Sequence, residues 1–374
     1  MTRPAAADGQ GGLWPLLTSP ETAPPPGDRV ALAAAVARFA RLAGPALADH
    51  LLRPAADRFG IALPDPAAVE RSRLAGRFAL AQQRRWVGAI AAAGIETVCL
   101  KGFANAHTHY PDPAVRIIGD LDLLVCAADL DRTIRLLAGH GFRFRSTPAR
   151  RWRMMPDSSF MPLVAADGSC DIDLHVQPDS YPAWRSLTAE RVFADSRVVT
   201  AVGSDGGLAF RVPSTDHAFA LCVTNAAKDK FGLFSLRKVI DAIVLVERGP
   251  PLDSTALDWA AIEGLARAGH FHRPLRVLCA LLARLGVPAG TLPAALCAAP
   301  GGIAGPVFAR VVADFAALFP AEPSLAGLWW RELALIAEPD VALHNLRRRL
   351  AGLVRPDAGL PAGVSPRTGL PDAR

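Results

Sequence analysis

The chain lacks several patterns that would assign it to a compartment or a redox class at once. No window approaches about 18 uninterrupted apolar residues, the length that a membrane-spanning helix requires. No Cys-x-x-Cys pair occurs among the six cysteines, which argues against a thiolate metal site or a redox motif. The opening MTRPAAADGQGGLW has no apolar stretch of the kind found in secretory signals. We therefore expect a cytoplasmic protein without a membrane span, whose scattered cysteines are reduced.

Common nucleotide-binding and hydrolase signatures are also absent. There is no G-x-x-x-x-G-K-[ST] loop, no G-x-G-x-x-G turn after a strand, no helical H-x-x-x-H pair and no G-x-S-x-G elbow. The charge balance is modest, because 41 Lys and Arg against 35 Asp and Glu give a net charge of +6. Such a surplus permits contact with phosphates and does not require a nucleic-acid partner.

What the chain has in abundance is alanine and helical periodicity. Hydrophobic residues make up 51% of the chain, and the large alanine share favours helices. Apolar residues recur at helical spacing over about 28–60 and over 66–94, where Asp65 is a candidate N-cap. Short apolar runs between about 96 and 176 predict strands, with residues 166–169 as a hairpin turn between the last two, MPLV and CDIDLHV. Helical spacing returns after Ser214.

These changes of pattern predict an α+β fold, with a small mixed sheet that carries helices on one face, N-terminal helices and a C-terminal helical domain. The Pro- and Gly-rich ends predict disorder, although the apolar segment 13–17 could dock on the body. The predicted divisions are a disordered arm over 1–27, a helical segment over 28–95, an αβ core over 96–212, a helical domain over 213–355 and a disordered tail over 356–374.

Two predicted strands each carry aspartates on one face. Because side chains alternate along a strand, GDLDLLV places Asp120 and Asp122 together, and CDIDLHV places Asp171, Asp173 and His175 together. Neighbouring carboxylates repel each other unless a cation neutralises them, and Mg²⁺ is commonly held by carboxylates plus substrate phosphates. Two such strands side by side predict a two-metal site for phosphoryl or nucleotidyl transfer, and a solvated acidic face is the alternative.

A third element, Leu-Lys-Gly, closes the first predicted strand and opens a predicted helix. Gly102 lets backbone N–H groups approach a phosphate, and a helix N-terminus favours anions. Lys101 can add positive charge at the β- or γ-phosphate. Without further context the pair is equally consistent with a simple strand terminus.

The stretch CLKGFANAHTHYPDPAVRIIGDLDLLVCAADLDRTIRLLAGHGFR resembles the opening core of a bacterial family called uncharacterised nucleotidyltransferases, within the DNA polymerase beta-like nucleotidyltransferase superfamily. The shared pattern is Leu-Lys-Gly, Tyr-Pro, an arginine, an Asp-x-Asp strand, a helix and a Gly-aromatic pair. The later acidic-Leu-His strand and an Ala-Ala-Lys helical segment are similar too, so the resemblance covers roughly residues 65–290. The matching positions are Leu100–Gly102, Tyr110–Pro111, Arg116, Asp120, Asp122, Gly141–Phe142, Asp173–His175, Asn225–Lys228, Leu236–Arg237, Asp241 and Asp258–Trp259.

The resemblance implies a nucleotidyltransferase core that uses Mg²⁺ or Mn²⁺. Such an enzyme moves a nucleoside monophosphate group from a nucleoside triphosphate to an acceptor and releases pyrophosphate. The residues implied to be catalytic and to hold the metal are Asp120, Asp122 and Asp173, and those implied to bind the triphosphate are Lys101, Gly102, Arg116 and Lys228. We also expect the helices after Ser214 to supply the second wall of the cleft. The acceptor, whether a small molecule, a peptide or an RNA, is not encoded in any motif.

Two departures from the family pattern keep other functions open. Relatives often carry His-Trp where His175 is followed by Val176, and His where Asn225 stands. These differences favour, as an alternative, a non-catalytic nucleotide-binding or partner module, and kinase-like transfer of a γ-phosphate is a third hypothesis. The third carboxylate is either Asp171 or Asp173. The arginine-rich segment 143–153 is a candidate site for a phosphate or a polyanionic acceptor, with simple surface charge as the alternative.

Overall fold

The strands lie in the middle of the chain and form one sheet. A computed structural model describes residues 12–145, 162–203, 206–247, 256–319, 323–336 and 338–354. Its strands are β1 (Thr97–Cys99), β2 (Leu121–Val125), β3 (Arg143–Phe144), β4 (Leu163–Val164), β5 (Asp171–His175), β6 (Arg197–Gly203) and β7 (Gly206–Val212). Within these ranges they form a mixed seven-stranded sheet in the order β3-β4-β5-β2-β1-β7-β6.

Helices precede, accompany and follow the sheet, which confirms the predicted α+β fold. The helices up to the end of the sheet are α1 (Leu13–Thr18), α2 (Arg29–Ala43), α3 (Pro45–Phe59), α4 (Pro66–Ala92), α5 (Lys101–His109), α6 (Leu130–Gly139) and α7 (Ala189–Ala194). Those that follow are α8 (Thr215–Lys228), α9 (Leu236–Glu247), α10 (Trp259–Ala268), α11 (His272–Leu285), α12 (Ala294–Cys297), α13 (Ala304–Ala316), α14 (Leu325–Leu335) and α15 (Pro339–Val354). None of the helices in the described ranges is both long and apolar enough to cross a membrane.

Strand β2 occupies the centre of the sheet. It pairs antiparallel with β1 and parallel with β5, and the register with β5 sets Asp122 opposite Asp173 and Leu124 opposite His175. The hairpin expected at residues 166–169 joins β4 to β5. The two acidic strands are therefore direct neighbours, as the sequence predicted.

Both faces of the sheet are covered, so the expectation of helices on one face was wrong. The face of Leu121, Leu123 and Val125 packs in a core that α4, α5 and α6 complete. The opposite face, which carries Leu124, packs against α7 and α8 through side chains such as Val192. Since residues two apart on a strand share a face, Asp122 lies on the side covered by α7 and α8. This second layer of helices encloses the acidic strands.

Local capping chemistry places the helix starts where the sequence suggested. Asp65 accepts a hydrogen bond from the backbone N–H of Ala68 at 3.0 Å, and Gly94, with φ of 69°, lies just beyond the end of α4. Ser214 accepts one from the N–H of His217 at 3.3 Å at the start of α8. These caps satisfy N–H groups that have no partner within the helix.

The N-terminal segment contains a docked helix. Helix α1 is buried, and the indole Nε1 of Trp14 donates to the main-chain oxygen of Phe315 at 2.8 Å. The largest apolar core joins α1–α3 to α8–α14. Of the arm predicted over 1–27, the described part thus includes the docking segment noted in the sequence. Residues 1–11 and the predicted tail 356–374 lie outside the described residues.

The cysteines are unbonded and mostly buried. Cys99, Cys170, Cys222 and Cys279 are buried, whereas Cys126 is exposed and Cys297 is half-buried. Burial raises the pKa of the Cys170 thiol to about 12, which keeps it protonated. The four buried thiols act as small apolar residues of the core.

Candidate functional site

Two aspartates and a histidine from neighbouring strands form a compact cluster. Asp122, Asp173 and His175 each offer one ligand atom, and these atoms lie within 4.8 Å of one another. Asp122 and His175 are buried, and Asp173 is half-buried. The parallel register of β2 and β5 produces this cluster, because it sets Asp122 opposite Asp173 and turns His175 to the same face.

Asp122 is the most strongly bound carboxylate of the cluster. Its Oδ1 accepts hydrogen bonds from Lys101 Nζ at 2.5 Å and from His175 Nε2 at 2.8 Å. Burial alone would raise the pKa of Asp122, but the Lys101 ammonium and the His175 hydrogen bond outweigh it and hold that pKa well below its usual range. The ionised carboxylate therefore attracts positive charge to this position.

Asp120 and Asp171 lie next to the cluster and outside it. Asp120 is exposed, and the nearby charge of Asp122 raises the pKa of its carboxyl, with a smaller contribution from desolvation by neighbouring groups. Asp171 forms an ion pair with Arg145 at the end of β3. In the described part of the chain, the carboxylate grouped with Asp122 and His175 is that of Asp173, whereas Asp171 lies outside the group.

A cavity of about 590 Å³ opens over the acidic strands. The sheet side contributes acidic residues and the start of α5, and the helical side contributes the end of α8 and the start of α9. The polar residues that line it are Arg41, Lys101, Asn105, Arg116, Asp120, Asp122, Asp173, Asn225, Lys228, Asp229, Arg237, Lys238 and Asp241, and Gly102 lies among them. The expected helical wall is present, and the volume falls within the usual range for small-molecule sites.

Arg116 is buried at the floor of this cavity and is bound to α9. Its Nε and Nη2 donate to the two carboxylate oxygens of Asp241 at 2.8 and 2.7 Å. Tyr110 and Asn105 donate to the same carboxylate at 2.7 and 3.1 Å. Burial opposes ionisation of Asp241, but Arg116 and these hydrogen bonds outweigh it and lower the pKa. The described contacts of Arg116 therefore join elements of the protein, whereas the resemblance implied a triphosphate contact.

Sequence reasoning did not assign two residues that the geometry brings to the site. His175 was noted on the acidic face but not as a partner of Asp122, and its alternation with Asp173 was the available signal. Arg237 matches the family pattern but was given no role, and it lines the cavity one helical turn before Asp241, where burial lowers the pKa of its guanidinium. Of the arginine-rich segment, Arg150, Arg151 and Arg153 lie outside the described residues.

The fold and the cluster define an α+β protein with a candidate metal centre at the edge of a nucleotide-sized cavity. A family model described as uncharacterised nucleotidyltransferase matches residues 66–286, which is more than half of the chain. The chain belongs to this family, as the resemblance predicted, and the matched range includes both acidic strands and all of the cavity lining except Arg41 and Leu42. No curated protein matches the chain, and no solved structure does.

Proposed function

We propose that the protein transfers a nucleoside monophosphate group from a nucleoside triphosphate to an acceptor, with release of pyrophosphate. One observation carries this proposal. The parallel register of β2 and β5 brings two carboxylates and an imidazole within 4.8 Å of one another, beside a cavity that also carries lysines. Family membership points to the same class of reaction. Clustered carboxylates next to bound phosphates are the usual arrangement for this chemistry.

The donor set suits a divalent cation such as Mg²⁺ or Mn²⁺. Carboxylate oxygens are the ligands these ions prefer, and Asp122 already holds the Lys101 ammonium at the same position. We assign the metal-binding role to Asp122 and Asp173, with Asp120 at the mouth as a further carboxylate. His175 orients Asp122 through its hydrogen bond to Oδ1. When bound, the ion would supply charge neutralisation at the phosphates and at the leaving pyrophosphate.

The triphosphate is proposed to lie between α5 and α8. Lys101 begins α5, whose N-terminus has no side-chain cap, so its first-turn N–H groups face the cavity end where an anion is favoured. A Cβ added at Gly102 would lie 3.4 Å from the Ile118 side chain, which is ordinary van der Waals contact, so the proposed contribution of Gly102 is its backbone N–H in the first turn. Lys228 lines the opposite wall at the end of α8. Arg116 is assigned a positioning role, because it anchors Asp241 and hence the start of α9.

The proposed transfer needs only two reactants, the nucleoside triphosphate and the acceptor. An acceptor oxygen attacks the α-phosphorus, and the new O–P bond forms as the bond to the bridging oxygen breaks. Pyrophosphate leaves with that electron pair, while Lys101 and Lys228 neutralise its charge. The proton of the acceptor hydroxyl passes to the Asp173 carboxylate, which acts as general base. The acceptor is a small molecule, a peptide or an RNA end that presents such an oxygen.

The test is metal-dependent nucleotide binding by the purified protein. Titration with each of the four nucleoside triphosphates, with Mg²⁺ or Mn²⁺ and then with a chelator, should show binding that requires the metal. Asp122→Asn and Asp173→Asn each remove a proposed ligand, so the metal-dependent affinity should fall by about 100-fold. Asp171→Asn is the matched control on the same face of β5, and its affinity should stay within about twofold of the wild type, because Arg145 pairs with Asp171 outside the cluster.

Equal losses in the Asp171 and Asp173 variants would remove the assignment of Asp173. Metal-independent binding that both ligand variants retain would remove the metal site altogether. Screening metabolite, peptide and RNA fractions for modification then separates the reactions by product mass. A nucleotide adduct supports the proposal, a phosphate adduct identifies kinase-like transfer, and tight binding with no pyrophosphate release identifies a non-catalytic module.

A further inference from the structure

A second cavity, of about 480 Å³, lies where α11 and α13 begin. Its lining is dominated by basic side chains, with one carboxylate among them. The charged and imidazole residues that line it are Arg267, His270, His272, Arg273, Arg276 and Glu338. It has no lining residue in common with the cavity over the acidic strands. The function proposed above does not use it.

Partners within the protein neutralise only part of this positive charge. Glu263 forms an ion pair with Arg267 and contacts His272 Nε2 at 3.1 Å. The guanidinium of Arg273 instead donates to the main-chain oxygens of Ala334 and Ile336, at 3.0 and 2.5 Å, which carry no full charge. A guanidinium held by carbonyl groups keeps its positive charge, so the cavity wall remains cationic.

Arg276 adds a donor that the described protein leaves unused. Its side chain is half-buried in the second turn of α11, and its Nε is shielded from solvent with no hydrogen-bond partner among the described residues. Arg276 lines the cavity and forms no ion pair with a carboxylate of the described residues, so its positive charge is available to an anionic ligand there.

Backbone groups add to the same field. Helix α11 has 14 residues and α13 has 13, and neither has a side-chain cap at its N-terminus. His272 and Arg273 lie in the first turn of α11, and Ala304 begins α13 at the cavity wall. Few N–H groups are free at these helix starts, because Pro274 and Pro306 have none and Gly305 donates to the main-chain oxygen of Gly302 at 3.2 Å. The backbone contribution is therefore mainly the partial positive charge of each helix start.

We propose that this cavity binds a small ligand through a phosphate or diphosphate group. Arginine forks match phosphate oxygens with paired hydrogen bonds, which suits the side chains of Arg267, Arg273 and Arg276. The volume fits a phosphorylated metabolite. A nucleic-acid strand is less well matched, because no Phe, Tyr or Trp lines the cavity in the described ranges to stack on bases. The site is independent of the acidic cluster and of the reaction proposed there.

The test uses inorganic pyrophosphate and phosphate as probes, titrated calorimetrically with a chelator present to exclude divalent metals. Arg276→Gln removes the fork that contains the buried Nε, so the affinity for pyrophosphate should fall about tenfold or more. Arg284→Gln is the matched control, since Arg284 is exposed near the end of the same helix, and its affinity should stay within about twofold. Arg267→Gln, in which the altered side chain is largely exposed, is a second variant expected to weaken binding. Thermal melting establishes that each variant is folded.

Several outcomes would overturn this site. One is the absence of pyrophosphate binding by the wild type, and another is an equal loss in the Arg276 and Arg284 variants. A loss in Lys101→Gln with full affinity in Arg276→Gln would place the probe in the other cavity. Binding of an RNA oligonucleotide with the same arginine dependence, but none of either probe, would replace the small ligand with a nucleic acid.

Discussion

Asp241 is the residue on which the floor of the cavity depends. Its carboxylate accepts hydrogen bonds from Arg116, Tyr110 and Asn105, all within 3.1 Å. Both members of the Arg116–Asp241 pair are buried. A buried pair of this kind contributes little net stability compared with apolar packing, yet losing one partner leaves an uncompensated charge.

Asp241→Asn should therefore destabilise the protein by about 3–5 kcal/mol, as measured by chemical denaturation. Asp229→Asn is the matched control. Asp229 pairs with Lys238 at 2.7 Å in a partly exposed position on the same side of the molecule, so its loss should cost less than about 1 kcal/mol. Similar losses in the two variants would show that burial of Arg116 does not carry the cost.

The lowered pKa of Asp241 also predicts how stability responds to acid. Because the folded state holds this pKa below the ordinary value of 3.8, the folded state binds fewer protons there than the unfolded state. The stabilisation that ionised Asp241 contributes is complete at pH values above 3.8. It is lost as the pH falls toward the pKa of Asp241 in the folded state. Denaturation midpoints measured from pH 6 down should fall less steeply in Asp241→Asn than in the wild type. A steeper fall in the variant would contradict the sign.

The same residues show what a single sequence can predict at this scale. Alternation along GDLDLLV and CDIDLHV was enough to place the aspartates on shared faces, because strand geometry fixes it locally. The bonds of Asp122 to Lys101 and of Asp241 to Arg116 were not predictable, since they join residues 21 and 125 positions apart. Only the tertiary fold decides whether such side chains meet.

At the scale of elements, α4 crosses the turn at 113–115 at very short range. A Cβ built on Gly76 would lie 2.2 Å from the main-chain oxygen of Ala114, so the glycine is required for the close approach. A Cβ built on Gly88, on the same helix, would meet only the Leu208 side chain within 4 Å, at 3.6 Å. Substituting Gly76 therefore tests the backbone contact, whereas substituting Gly88 tests helix propensity alone.

Gly76→Ala should destabilise the protein by about 1–3 kcal/mol, because backbone must move to admit the methyl group. Gly88→Ala should be neutral or should stabilise by up to about 1 kcal/mol, since alanine is the better helix former. Thermal unfolding of both variants measures the difference. If Gly76→Ala were as stable as Gly88→Ala, the helix would not be pressed against Ala114 in solution.

Elements with strong local signals were predicted well, and those defined by distant partners were not. The cap at Asp65 and the β4–β5 hairpin follow from chemistry within a few residues, and both are confirmed. Strands β6 and β7 were included in the predicted core without being named as strands. Strand β7 joins the sheet through a parallel pairing of Arg211 with Val98, which no local pattern encodes.

At the scale of the whole molecule, the candidate nucleotide site exists only because the sheet and the helical region face each other. Lys101 lies on one wall and Lys228 on the other. Lys228→Ala should weaken nucleotide binding by about tenfold through loss of one charge-assisted contact, and it should leave stability within about 0.5 kcal/mol. Equilibrium binding and melting measurements, made in parallel, check both statements.

Lys230→Ala serves as the comparison for this variant. Lys230 follows α8, contacts Glu332 at 3.6 Å, and is not among the residues that line the nucleotide cavity. Its nucleotide affinity should stay within about twofold of the wild type. Unchanged affinity in Lys228→Ala would leave the acidic strands and Lys101 as the whole of the proposed site.

The hydrogen bond between Trp14 and Phe315 has a consequence for how the chain is made. It joins residues 301 positions apart and belongs to a core that draws on both ends of the described chain. At about 5–20 residues per second, a ribosome needs roughly 15–60 s to make that length. Helices α1–α3 therefore leave the ribosome before the C-terminal helices do. Their apolar faces stay exposed to solvent until the C-terminal helices have been synthesised. Newborn chains are most open to chaperones, and to aggregation, during that interval.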